Sequence, residues 1–424
     1  MDKIERIMAL LENGQHKEAI AEYIVVLKNG MPEEKFLLGE GLFQYGFLDE
    51  AKALVENLLA IYPEEGELLV LLAEILMEAS EEEKAILVLE RISEQDTHYG
   101  QALLLLADLY QMQGLYEVCE SKLLRAKELL PHEIIIDFAL GELYSERGEI
   151  RKAMEAYEKV LEETNEMAGI NIHGRLAELL SSSGAFEESL VYYDKALEEK
   201  LEINILFGYA FTALQAGYNR TAIEKFTELK ELDPEYHSLY LYLAQAYERE
   251  EELESSLQSV QEGLKQDEFN KDLFYYGGKI AMKLGKITEA EQYLRESLVL
   301  DPGFAEAAHV LNQLFLQQER YEDVLELISE LDVIEDEEPQ FLWDAAVSCH
   351  KLEEYSLALD KYESAYTFFN NNEDFLNDYG YFLIEEGKKG RAAEIFKQLL
   401  NFDPTNDEYL DVLERLTDLD VNDK

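Results

Sequence analysis

Cysteine is nearly absent: Cys119 and Cys349 are the only two in 424 residues. Two thiols cannot build a disulfide framework, and this points to a reducing, cytoplasmic setting. Proline is scarce at 7 and glycine contributes 23, so there is little material for long loops. No apolar run approaches the ~20 residues that a membrane span needs. The opening MDKIERIMALLENG carries acids and has no apolar core followed by a small-residue cleavage site, so no secretory signal is expected. Cations are outnumbered: 37 Lys and Arg face 91 Asp and Glu, for a formal charge of −54. Phosphate backbones and anionic lipid head groups repel such a chain, so neither nucleic acid nor membrane insertion is expected. The densest basic cluster, Lys388, Lys389 and Arg391 beside two glycines, reads as a solvated turn.

Apolar residues are plentiful. They make up 47% of the chain, with 26 tyrosines and 19 phenylalanines, which excludes an acidic disordered tail. A length of 424 residues ordinarily implies two or three globular domains, but a repeat overrides that expectation. Ala19, Ala51, Ala85, Cys119, Ala153, Ser189, Ala222, Ser256, Ala290, Val324, Ala358 and Ala392 stand at equivalent places. Their spacing is 34 residues at eight of eleven steps and 32, 36 and 33 at the others. Twelve residues upstream runs a second row of small residues, including Gly39, Ala73, Ala107, Gly141, Ala177, Gly278 and Gly380. Large apolar or aromatic residues follow four places after the first row, among them Tyr23, Tyr157, Phe226 and Phe396.

The pattern has a mechanical reading. Apolar residues at i, i+3, i+4 and i+7 predict two helices per unit. A mid-unit glycine, as at Gly14, Gly46, Gly114 and Gly285, ends the first helix by taking the left-handed C-cap conformation. Proline, as at Pro63, Pro131, Pro234, Pro302 and Pro404, stops the second. The small residues let the two helices cross closely.

On these residues the unit resembles the tetratricopeptide repeat, over about residues 3–405 as twelve units, with Asp407–Thr417 as a capping helix. The whole make-up also resembles the YpiA-type proteins of Bacillus-like bacteria. The resemblance implies an all-α solenoid of about twelve helix–turn–helix repeats in a right-handed superhelix, with first helices lining a concave face. We expect repeats one to five over 1–165, repeats six to twelve over 166–405, and a cap and tail over 406–424. Departures are Ile7 and Asn312 at small-residue places, and Trp343 one place after the family's tryptophan slot. Two irregular segments, Thr164–His173 and Val333–Pro339, are read as a bend or as a longer loop.

Nothing in the sequence assembles chemistry. The seven histidines form no H-E-x-x-H pair, no cysteine pair has metal-ligand spacing, and no phosphate-binding glycine motif occurs. Both cysteines read as small core residues. No enzyme, metal or cofactor is expected.

The resemblance implies ligand contact at the second, fifth, sixth, ninth, twelfth and thirteenth places of each unit. The ninth place holds Glu40, Glu74, Asp108, Glu142 and Glu178 in repeats two to six. Five carboxylates in register would suit a basic peptide or the basic face of a partner helix, though glutamate there can equally be a solvated surface residue. Inner places of the other half hold Phe207, Phe211, Tyr242, Tyr275, Tyr276, Lys279, Lys283, His309 and Trp343, which suit a hot-spot cluster or cover inter-repeat core. No three successive repeats carry the lysine, asparagine and arginine set with which related domains clamp C-terminal carboxylates. The expected function is a noncatalytic scaffold or adaptor for proteins or peptides. A regulatory peptide sensor and an acidic mimic of nucleic acid are the alternatives.

Overall fold

The spacing of small residues turns into helix pairs throughout the described part of the chain. A computed structural model describes residues 3–331 and 338–422, with backbone alone over 418–422. It contains 25 helices among these residues, two for each of the twelve units and one at the end. The chain divides into two compact units, 1–201 and 202–424, which hold six repeats each. Residues 333–337 of the second irregular segment lie outside the described residues.

Small residues sit where paired helices cross. Ala51, Ala85, Cys119, Ala153, Ser189, Ala222, Ser256, Ala290, Val324, Ala358 and Ala392 are fully buried. A Cβ built on Gly141 would lie 2.6 Å from the Tyr157 ring, and one on Gly278 would lie 2.6 Å from Leu294. These contacts show why the crossing excludes bulk: even a methyl group forces the neighbour to move. Ile7 and Asn312, the two departures, are buried as well.

The turn inside each repeat places one residue at positive φ. Gly14, Gly46, Gly114, Gly148, Gly184, Gly217, Gly285 and Gly387 fill it in eight repeats, and Ser80, Glu251, Glu319 and Glu353 in the remaining four. First helices begin with few side-chain caps. Asn171, Asn270 and Asn372 are the asparagines that do this, accepting from the backbone N–H of Gly174, Leu273 and Phe375 at 2.9–3.0 Å.

The Thr164–His173 junction folds as a short hairpin. Glu166–Met167 pairs antiparallel with Ile170–Asn171, and the turn between them holds Ala168 at φ 51° and Gly169 at φ 80°. Met167 and Ile170 pack onto the core of repeats four to six. The last helix, Asp407–Asn422, extends beyond the expected cap and buries Tyr409, Val412 and Leu416 against the preceding repeat.

Candidate functional site

The five ladder carboxylates all lie in the first unit, each one place after a buried small residue that anchors its helix. That placement turns them away from the helix crossing. Glu40 and Glu74 are half-buried, and Asp108 is exposed. Burial holds the Glu74 carboxyl above its ordinary range; a hydrogen bond from Gln101 opposes this, and the neighbouring Glu40 charge adds to it. No lysine or arginine among the described residues pairs with Glu40, Glu74 or Asp108.

The next two rungs differ. Arg175, at the sixth place of repeat six, reaches back with Nη2 2.8 Å from Glu142 and with Nη1 3.0 Å from Glu178. Tyr157 donates its hydroxyl to Glu142 at 2.6 Å. One guanidinium therefore offsets two carboxylates, and the five-rung ladder carries open charge chiefly at its first three rungs. Sequence reading along the ninth place alone missed Arg175.

Repeats four and five enclose a cleft of about 970 Å³. Leu104, Leu105, Asp108, Gln111 and Met112 line it from repeat four, at the fifth, sixth, ninth, twelfth and thirteenth places. Ile135, Phe138, Ala139, Glu142 and Glu146 line it from repeat five, at the second, fifth, sixth, ninth and thirteenth. Gln111 Nε2 and the Tyr116 hydroxyl both donate to Glu146 at 2.8 Å, which fixes that carboxylate without neutralising it. The lining contains no lysine or arginine. Glu146 was legible at the thirteenth place of its repeat. A second, smaller cleft of about 380 Å³ lies between repeats two and three, with Phe36, Leu37, Leu58 and Tyr62 beside Glu33, Glu65 and Glu67.

In the second unit the aromatic residues come together in groups. Phe207, Phe211 and Tyr242 are half-buried, with ring centroids 5.0–6.2 Å apart, and Tyr236 joins Phe207 at 5.0 Å. Lys279 Nζ sits 5.4 Å above the Tyr275 ring and 5.9 Å above that of Tyr276. Tyr276 is only 7% exposed and its hydroxyl donates to Glu248, which suits the inter-repeat core of the two readings. Lys283 is held by Glu248 at 2.5 Å. Burial pushes the Glu248 carboxyl up, but the hydrogen bonds from Lys283 and Tyr276 outweigh it and leave the group below its ordinary range.

His309 and Trp343 act as joints between repeats. His309 stacks on Phe341 at 4.2 Å with Nε2 2.9 Å from Glu338. Trp343 donates Nε1–H to Asp378 at 3.1 Å and packs against Phe369 and Phe375. Cys119 and Cys349 are buried, and burial pushes both thiols up, Cys119 to about 11. Among the described residues no group of three or more His, Cys, Asp or Glu side chains could hold a metal ion, and no helix is long and apolar enough to cross a membrane.

Twelve two-helix modules spaced at or near 34 residues, with small residues at nearly every crossing, define a tetratricopeptide repeat protein. Family comparisons agree. The model described as YpiA-like, tetratricopeptide repeats matches residues 111–165, and that of the YpiA-like C-terminal repeats matches 339–406. General tetratricopeptide models match 42–109 and 278–304. The TPR repeat-containing protein YpiA of Bacillus subtilis is 42% identical over 415 residues, covering 98% of each chain. The chain belongs to the YpiA-like tetratricopeptide repeat family. Among solved structures, YrrB, a TPR protein with an unusual peptide-binding site, is 18% identical with a TM-score of 0.38, covering 44% of this chain and 96% of its own. The type IV pilus biogenesis factor PilW is 19% identical with a TM-score of 0.41, covering 52% and 100%.

Proposed function

We propose that this chain is a noncatalytic scaffold or adaptor that holds partner proteins or peptides along the first helices of its repeats, with the acidic unit receiving a basic segment. The observation that carries this reading is the cleft of repeats four and five, where ligand-facing places of two repeats join around three carboxylates, two of which, Asp108 and Glu146, have no lysine or arginine partner among the described residues. Charge of one sign over a chain of −54 steers a cationic partner in, and the apolar floor gives it a hold. The groups around Phe207 and Tyr275 offer the second unit an aromatic surface of the kind that anchors partners. Both thiols have pKa values raised by burial, which suits core packing and not nucleophilic chemistry.

The test reverses the three carboxylates that no cation offsets. A partner recovered from native cytosol at low salt is titrated calorimetrically against the wild type and against the Glu40→Lys, Glu74→Lys, Asp108→Lys triple variant. The variant should bind about tenfold or more weakly, with a shallower salt dependence. Equal affinity and equal salt slope would remove the ladder from the binding surface.

A further inference from the structure

The hairpin between repeats five and six is the one place where the spacing widens to 36 residues, and its tip reaches the cleft. Ala168 lines the same cavity as Leu104 and Met112, more than fifty residues earlier in the chain. The hairpin is held in place from several sides. Met167 and Ile170 pack on the core, and the Thr164 hydroxyl donates to the Glu166 carbonyl at 2.9 Å. Asn171 caps the following helix and donates to Glu199 at 3.0 Å. Ala168 adopts φ 51°, a conformation that favours glycine, yet carries a methyl group that forms part of the wall.

We propose that this hairpin is a fixed lip on the cleft, and that lip and floor together select a peptide segment bearing an apolar side chain next to a lysine or arginine. The inference rests on the groove reading above and specifies its occupant. Leu104, Leu105, Ile135 and Phe138 offer an apolar seat. Asp108 is exposed at its edge, and Glu146 is oriented by Gln111 and Tyr116. Neither carboxylate has a lysine or arginine partner among the described residues. A cationic side chain placed there gains two charge partners while its apolar neighbour leaves water. An acidic segment would meet repulsion from both carboxylates.

The test uses the full chain and fluorescein-labelled twelve-residue peptides of alternating leucine and lysine, with counterparts carrying serine for leucine or glutamate for lysine. Anisotropy should show binding of the leucine–lysine peptide, binding at least about tenfold weaker for the serine–lysine peptide, and none for the leucine–glutamate peptide. Ala168→Arg fills the wall and should weaken the leucine–lysine complex about tenfold or more. Asn165→Arg adds the same charge at an exposed place on the hairpin outside the lining and should have a much smaller effect. Ile135→Ser, at an exposed floor position, should weaken it as well. If Ala168→Arg and Ile135→Ser bind like the wild type, the peptide lies elsewhere: the lip is overturned while the groove reading stands. Equal binding of the serine–lysine peptide would reduce the effect to bulk charge and overturn the selection. Failure of the wild type to bind any cationic peptide would overturn both.

Discussion

At the scale of single residues, the helix crossings differ in how much room they leave. A Cβ on Gly39 would meet Val55 at 3.5 Å, an ordinary contact, whereas one on Gly141 would lie 2.6 Å from the Tyr157 ring. Gly39→Ala should therefore stabilise the chain by up to ~1 kcal/mol through helix propensity. Gly141→Ala should destabilise it by ~1–3 kcal/mol, because the buried ring must shift. Denaturant unfolding of the two variants checks the opposite signs. The turn slots give a second case. Glu251, Glu319 and Glu353 hold φ 58–62°, so replacing any of them with glycine should add ~1 kcal/mol, read as a rise in the unfolding midpoint. The period already marked these slots, since each lies 34 residues from a turn glycine, but the side chains there concealed them.

Asp344 provides the pH-dependent residue. Burial raises its carboxyl pKa, against hydrogen bonds from Gln340 and Asn312 and the nearby His309. His309 is in turn in contact with Glu338, its Nε2 2.9 Å from that carboxylate. A folded-state pKa above the unfolded value means that the folded chain binds the proton more tightly. The stabilising contribution is thus fully present below the ordinary aspartate value of 3.8 and is lost as pH rises through the raised value. Asp344→Asn should raise the Tm near neutral pH and leave it little changed in acid. A lower Tm at neutral pH would contradict this.

At the scale of elements, the paired helices were legible because close crossing demands small residues and those demands recur. The starts of helices were less legible, since the first helices mostly lack capping side chains. Asn270→Ala should cost ~1 kcal/mol by removing the acceptor for the Leu273 N–H, a loss that thermal unfolding would detect. The hairpin was legible as a two-residue excess but not as a pair of strands, because two residues per strand leave no alternating pattern to read. The ladder was visible column by column, whereas its neutralisation was not: Arg175 reaches Glu142 across 33 positions, and that contact exists only once repeats stack. The same holds for Tyr276, whose partner Glu248 comes from the previous repeat.

At the scale of the whole molecule, charge and repeat architecture act together. The scarce cations often join one repeat to the next, as in Lys52–Glu81, Arg147–Glu120, Lys230–Glu262 and Arg320–Glu291. Many more carboxylates remain than cations can offset, so self-repulsion opposes folding. Raising salt from low to physiological ionic strength should therefore raise the Tm, even though it also weakens the exposed pairs. A Tm that falls steadily over that range would show that the cross-repeat pairs outweigh the repulsion.

The place where a cationic segment sits decides whether the first helices line a binding groove. Met112 and Leu87 are similarly exposed, at 68% and 64%, but Met112 lines the cleft from a first helix while Leu87 lies on a second helix away from it. A photo-crosslinking side chain placed at each in turn, with the leucine–lysine peptide present at physiological salt, compares the two surfaces directly. Capture at position 112 and little at position 87 is the predicted result. Equal capture at both, or capture at 87 alone, would contradict a binding groove lined by the first helices.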